Sequence, residues 1–137
     1  MSLANYVANF FVNNNNNQIF SVTGGFAMFL NDEFGNNEKL NVIYQHHEQA
    51  CGYSAIGFTK VSCKPSIVCT TAGCGITNTI SCINSAWQDS LPIIFISGQS
   101  KKLHVEEKFQ VRLRKMLQQS SESLLAEYLE KIAFGNL

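Results

Sequence analysis

Ser66-Ile67-Val68-Cys69-Thr70-Thr71-Ala72-Gly73-Cys74-Gly75-Ile76-Thr77-Asn78 decides the fold of this chain. Ser66 to Thr70 is a short run rich in β-branched residues, which suits a strand buried on both faces. The glycines that follow let the backbone turn sharply. From about Ile76 to Gln88, the residues Ile76, Ile80, Ile83 and Trp87 return at helical spacing and predict a helix with one apolar face. Pro92 to Ser97 then reads as another strand, so the stretch is a strand, a crossover helix and a second strand.

The same alternation runs upstream. Leu3, Tyr6, Val7, Phe10 and Phe11 predict an amphipathic helix over 3–12 that packs one aromatic-rich face on the core. Asn13 to Asn17 reads as a solvated loop. Gln18 to Val22 is a predicted strand, Thr23-Gly24-Gly25 a tight turn, and Phe26 to Phe34 a helix with Phe26, Leu30 and Phe34 on one side. Asn41 to Gln45 is the next strand. The helix from about Glu48 to Lys60 carries Ala50, Gly52, Ala55 and Gly57, which allow a neighbour to approach closely although glycine weakens a helix. Short apolar strands alternating with helices predict an α/β fold with three α/β/α layers, a mainly parallel sheet and right-handed crossovers. Residues 1–100 are expected to form this domain. Residues 101–137 read as a divergent or truncated continuation, with a charged segment and then an amphipathic helix on Leu124, Leu125, Tyr128, Leu129 and Ile132.

Composition narrows the function. A chain of 137 residues can bury one core, and 45% hydrophobic against 15% charged residues suits a surface partly hidden in an assembly. Ten basic and ten acidic side chains leave no net charge, which speaks against a nucleic-acid or membrane-surface partner. No stretch approaches the roughly 18 consecutive apolar residues of a membrane span, and the N-terminus has no basic segment before an apolar run. A soluble, cytoplasmic protein is expected. Five cysteines, odd in number and without Cys-x-x-Cys spacing, argue against a disulfide framework and a zinc site, so no metal ligand is assigned.

Glu48 stands out in Val42-Ile43-Tyr44-Gln45-His46-His47-Glu48-Gln49-Ala50. A carboxylate directly after a strand and at the head of a small-residue helix is hard to assign to packing. The plain alternative is an acid favoured by the helix dipole, worth about 0.3–1 kcal/mol when exposed. His46 and His47 are adjacent, cannot share one face of a regular element, and are expected to serve at the surface or in packing.

Five blocks, taken in order over residues 18–100, carry a resemblance. Phe20-Ser21-Val22-Thr23-Gly24-Gly25 stands where a Phe-Gly-Val-Pro-Gly-Gly turn is usual. His46-His47-Glu48-Gln49-Ala50-Cys51 is followed by Gly57-Phe58-Thr59-Lys60. Ala72-Gly73-Cys74-Gly75-Ile76-Thr77-Asn78 has cysteine in place of a common proline, and Ala86-Trp87-Gln88-Asp89-Ser90-Leu91-Pro92 and Ser97-Gly98-Gln99 close the series. Together they resemble the N-terminal pyrimidine-binding domain of thiamine diphosphate enzymes, in the acetolactate synthase branch.

The resemblance implies that Glu48 is catalytic. It would hydrogen-bond a pyrimidine ring nitrogen of thiamine diphosphate, so that the amino group of that ring can take the proton from the thiazolium carbon. Thr23, Gly24, Gly73, Cys74, Gly75 and Asn78 would shape the cofactor pocket, and Gln110 would stand on the substrate side. Cys74 stays open between a reactive thiol and an inert filler, Asn78 between a cofactor contact and a brace for the turn, and Gln99 between lining the site and capping the last strand. Gly-x-Gly-x-x-Asn lacks the third glycine of a dinucleotide fingerprint.

The implied reaction is decarboxylation of a small 2-oxo acid, with or without carboligation. In the family a separate domain holds magnesium and the diphosphate through Gly-Asp-Gly and a later Asn-Asn, and no Gly-Asp-Gly occurs here. The chain is therefore expected to supply half a site, completed by a diphosphate-binding domain or a full-length relative, with a homodimer as the expected assembly. A fragment, a natural subunit and a degenerate product are all compatible with this. The rival class is a non-catalytic interaction module built on the same helical face.

Overall fold

A computed structural model describes residues 2–99 of the chain; the predicted charged segment and terminal helix, and Gln110 with them, lie outside the described residues. The elements run α1 (Leu3–Asn13), β1 (Gln18–Ser21), a 3-10 turn (Gly25–Ala27), α2 (Met28–Gly35), β2 (Asn41–Tyr44), α3 (Glu48–Ser62), β3 (Ser66–Thr70), α4 (Cys74–Thr77), α5 (Ile80–Gln88) and β4 (Ile93–Ser97). No helix among the described residues is long and apolar enough to cross a membrane.

The four strands form one parallel sheet in the order β2-β1-β3-β4. Chain direction and handedness then dictate the layers. The step from β1 to β2 runs one way across the sheet, and the step from β2 to β3 runs back past β1. Right-handed crossovers therefore put α2 on one face and α3 on the other. Side-chain alternation agrees: Ile19, Ile67 and Cys69 pack with Ala8, Phe11 and Phe34 of α1 and α2, while Phe20 and Val68 pack with Cys51 and Ala55 of α3. Ile56, Cys82 and Ala86 join α3 to α5 on that second face. The result is the three-layer α/β/α arrangement expected from the sequence.

Buried hydroxyls tie the layers as well. Ser21 Oγ lies 2.7 Å from Asn31 Oδ1 and 3.0 Å from the Cys69 carbonyl, linking α2 to two strands. Ser66 Oγ lies 2.8 Å from Thr59 Oγ1, linking β3 to α3. The Lys60–Asp89 ion pair at 2.6 Å joins α3 to the residue capping α5, but both groups are half in water, so it adds about 0–1 kcal/mol at most.

Several elements differ from their sequence reading. The buried stripe of α1 is Ala4, Ala8 and Phe11, whereas Leu3, Tyr6 and Phe10 are exposed. Alanines let the helix backbone lie close to the sheet, and the bulkier stripe turns outward. Phe26 is likewise exposed, because a 3-10 turn rather than an α-helix presents Ala27 to the core before Phe34. Of the four small residues of α3, only Gly52 and Ala55 are buried. A Cβ on Gly52 would collide with the Cys82 side chain, whereas one on Gly57 would meet nothing. The helix extends to Ser62 and ends at Cys63 in the left-handed region, φ 53°.

The helix predicted from Ile76 to Gln88 is broken into α4 and α5. Fully buried Thr79 causes the break: its Oγ1 donates to the Ile76 carbonyl at 2.6 Å and its backbone N–H to the same oxygen at 3.0 Å. That carbonyl is thereby withdrawn from the regular ladder. The buried face of α5 is Cys82, Ile83 and Ala86, and Trp87 is exposed.

Gly52→Ala should lower stability by about 1–3 kcal/mol through overpacking, and Gly57→Ala should raise it by about 0.5–1 kcal/mol through helix propensity; urea unfolding of the two variants checks the pair. Burial pushes the Cys69 thiol from 9.0 up to about 12 and Cys51 up to about 11, the latter with the Glu48 carboxylate adding to the rise. The folded chain holds these protons more tightly than the unfolded chain, so the stability they contribute is whole below pH 9.0 and is lost as pH climbs towards 11 and 12. The urea midpoint should therefore decline above that pH, and the Cys51→Ala, Cys69→Ala double variant should flatten the decline.

Candidate functional site

The sheet order reverses direction between β1 and β3, and the loops leaving their carboxyl ends diverge to opposite faces there. A crevice at such a switch point is where open α/β sheets place ligands. Gly24 follows β1 and Thr71 follows β3, and the pairing of Ser21 with Cys69 brings the two loops together. A Cβ on Gly24 would fall on the Thr71 side chain, and one on Gly75 would stand 2.7 Å from Thr71 Cγ2. Thr71 Oγ1 accepts the backbone N–H of Phe26 at 3.3 Å. Thr71 is thus wedged between the two glycine turns and holds both in place.

Gly73 is glycine for a different reason. Its φ of 75° and ψ of −123° lie where an L side chain is strained, and this torsion swings the chain from β3 into α4. Gly75 has a second neighbour besides Thr71: a Cβ there would lie 3.4 Å from Glu48 Oε1.

Glu48 opens α3 and is half-buried. His47 precedes it in extended backbone, and its ring Nδ1 accepts the N–H of Gln49 at 3.1 Å, capping the helix. The surface role expected for His47 therefore becomes a specific capping role, one that sequence reasoning missed because histidine is an uncommon cap. Asn78 Nδ2 donates to Glu48 Oε2 at 3.0 Å. A second tie, Gln49 Nε2 to Ser81 Oγ at 2.9 Å, holds the first turn of α3 against α5.

The structure therefore brings Gly24 and Gly75 against Thr71, Glu48 beside Gly75 and Asn78 onto Glu48, with Gly73 shaping the turn. Thr23 and Cys74 are exposed at the rim, and Gln99 follows β4, also exposed. Thr71 was not among the residues singled out from the sequence; its only signal was its place between a strand end and two glycines. Among the described residues no group of three or more His, Cys, Asp or Glu is gathered as a metal site would need. A polar depression of about 320 Å³ lined by Asn5, Glu33, Asn36, Asn37, Glu38 and Lys39 shares no residue with this cluster. What the cluster offers chemically is a carboxylate with one oxygen hydrogen-bonded and the other facing a glycine where no side chain intervenes. That suits hydrogen bonding to the edge of a flat polar ring.

Comparison with known proteins places the chain in a family. The mitochondrial acetolactate synthase catalytic subunit of Saccharomyces cerevisiae is 33% identical over 81 residues, covering 59% of this chain and 12% of that protein. The acetolactate synthase large subunit of Lactococcus lactis is 36% identical over 87 residues, covering 64% of this chain and 15% of that protein. The chain thus spans a small part of the length of these relatives. The crystal structure of benzoylformate decarboxylase from Polynucleobacter necessarius superposes with a TM-score of 0.70 at 19% identity, over 85% of this chain and 22% of that one, a likeness of fold. The family model described as thiamine pyrophosphate enzyme, N-terminal TPP binding domain, matches residues 1–125. With a match that long, the chain belongs to the thiamine pyrophosphate enzyme family as an N-terminal TPP-binding domain of the acetolactate synthase-like kind.

Proposed function

We propose that this chain forms the pyrimidine-binding half of a thiamine diphosphate site in an acetolactate synthase-like enzyme acting on 2-oxo acids. The observation that carries the reading is the Glu48 carboxylate, half-buried beside Gly75 and hydrogen-bonded by Asn78. The residues present fit the group: a half-buried carboxylate stands beside Gly75 at the carboxyl end of the sheet's switch point, and a side chain on Gly75 would crowd both Thr71 and the Glu48 oxygen. When bound, thiamine diphosphate supplies a thiazolium carbon able to attack a carbonyl and hold the electrons of a lost carboxylate.

The role of this chain is to bind the pyrimidine ring and to hold a proton at one atom. Glu48 Oε1 would share a proton with a ring nitrogen and thereby make the ring's amino group a better base. Gly73, Gly75 and Gly24 would keep the backbone close to the ring, with Thr23 and Cys74 at the rim. Diphosphate and magnesium would be held by a domain carrying Gly-Asp-Gly, a motif absent from these 137 residues. Completion of the site by a diphosphate-binding domain or a full-length relative is part of the same proposal.

A second reading, a module for association, is favoured by one observation. The outward side of α3 presents Ala50, Tyr53, Gly57 and Val61 to solvent, with Tyr53 48% and Val61 88% exposed. Such a stripe of small and apolar residues suits close packing with a second copy.

Titration calorimetry with thiamine diphosphate and magnesium should give no saturable binding to the chain alone and saturable binding once a diphosphate-binding domain is added. In that complex Glu48→Gln should slow exchange of the thiazolium proton, followed by proton NMR in deuterium oxide, by about 10²–10⁴-fold; unchanged exchange would sink the catalytic reading. Sedimentation equilibrium of the chain should show self-association that Tyr53→Glu with Val61→Glu abolishes.

A further inference from the structure

We infer that Asn78 is a positioning residue for Glu48 and not itself a contact to the ligand, an inference that rests on the pyrimidine-binding reading above. A glutamate at a half-open helix start has several rotamers available, and a carboxylate that must meet one ring atom works only if it is held in a single pose. Asn78 supplies the hold. Its Nδ2 donates to Oε2 at 3.0 Å, which leaves Oε1 as the oxygen beside Gly75, 3.4 Å from where a Cβ would stand. One oxygen is occupied and the other is presented.

The backbone shows why Asn78 can do this. Its N–H is fixed by the Cys74 carbonyl at 3.2 Å, and it sits at the break between α4 and α5. The break is made by buried Thr79, whose hydroxyl and N–H both take the Ile76 carbonyl. Asn78 thus directly precedes Thr79 at the break, and its amide reaches the first turn of α3. The Gln49–Ser81 hydrogen bond keeps that turn at a fixed distance from α5. The broken helix acts as a device that aims an amide at the acid.

The test uses the full chain and two readouts. In the ligand-free protein, the nitrogen and proton resonances of the Asn78 side-chain amide should move on Glu48→Gln and stay put on the exposed control Lys60→Gln. An amide unmoved by Glu48→Gln would overturn the inference. The second readout titrates 4-amino-5-hydroxymethyl-2-methylpyrimidine, the ring portion alone, by NMR into the complex of the chain with a diphosphate-binding domain. Asn78→Ala should weaken its binding by roughly tenfold when Glu48 is present, as loss of one hydrogen bond to a charged group would. In the Glu48→Gln background the same change should cost less than about twofold, since a residue acting only through Glu48 has nothing left to position. Equal losses in both backgrounds would mean that Asn78 touches the ring directly and would overturn the inference. If the pyrimidine binds no form of that complex, the cofactor reading of the site fails, while the amide resonance still decides whether Asn78 holds Glu48.

Discussion

The contact between Thr71 and the two glycine turns is the constraint on which the site depends. Thr71 follows directly on β3, and its side chain occupies the volume that Cβ atoms on Gly24 and Gly75 would need. Because β1 and β3 are adjacent and parallel, the loops that leave them would otherwise be free to splay as they pass to opposite faces of the sheet. One methyl group and one hydroxyl packed between them set their separation. Replacing either glycine would force the loops apart, and the position of α4 relative to α3 would move with them.

From this contact the rest of the site follows in short steps. Gly73 turns the chain in a torsion open to glycine, α4 makes a single turn, and Thr79 ends it by taking a carbonyl out of the ladder. Asn78 is left facing the start of α3, where Glu48 is held by a histidine-capped first turn. The carboxylate's surroundings are therefore set by neighbours from two separate crossovers. Neither α3 nor the β3–α4 turn would orient it alone.

The cysteines illustrate a different use of burial. Cys51, Cys69 and Cys82 are fully enclosed and act as small apolar side chains, with thiols raised well above their ordinary range for Cys51 and Cys69. Cys82 also accounts for the close approach of α3 and α5, since its side chain fills the space left by Gly52. Cys63 and Cys74 are exposed, one at the left-handed end of α3 and the other at the first residue of α4.

By itself the sequence determined the α/β class, the strands and most of their ends, because apolar periodicity and glycine placement are local signals; Glu48 stood out by its place between strand and helix, and Gly73, Gly75 and Asn78 by the ordered motifs that carry the family resemblance. Tertiary structure alone decided which face of α1 is buried, where the β3–β4 crossover breaks, and that Thr71 and His47 matter. Those outcomes depend on what lies across the sheet: Ala4 and Ala8 can sit closer to it than Tyr6 or Phe10, and Thr79 breaks the helix because it is fully enclosed, with its hydroxyl turned back on the Ile76 carbonyl. The pairing of Glu48 with Asn78 was likewise hidden, because residues thirty positions apart meet only when two right-handed crossovers bring their helices to the same end of the same sheet face.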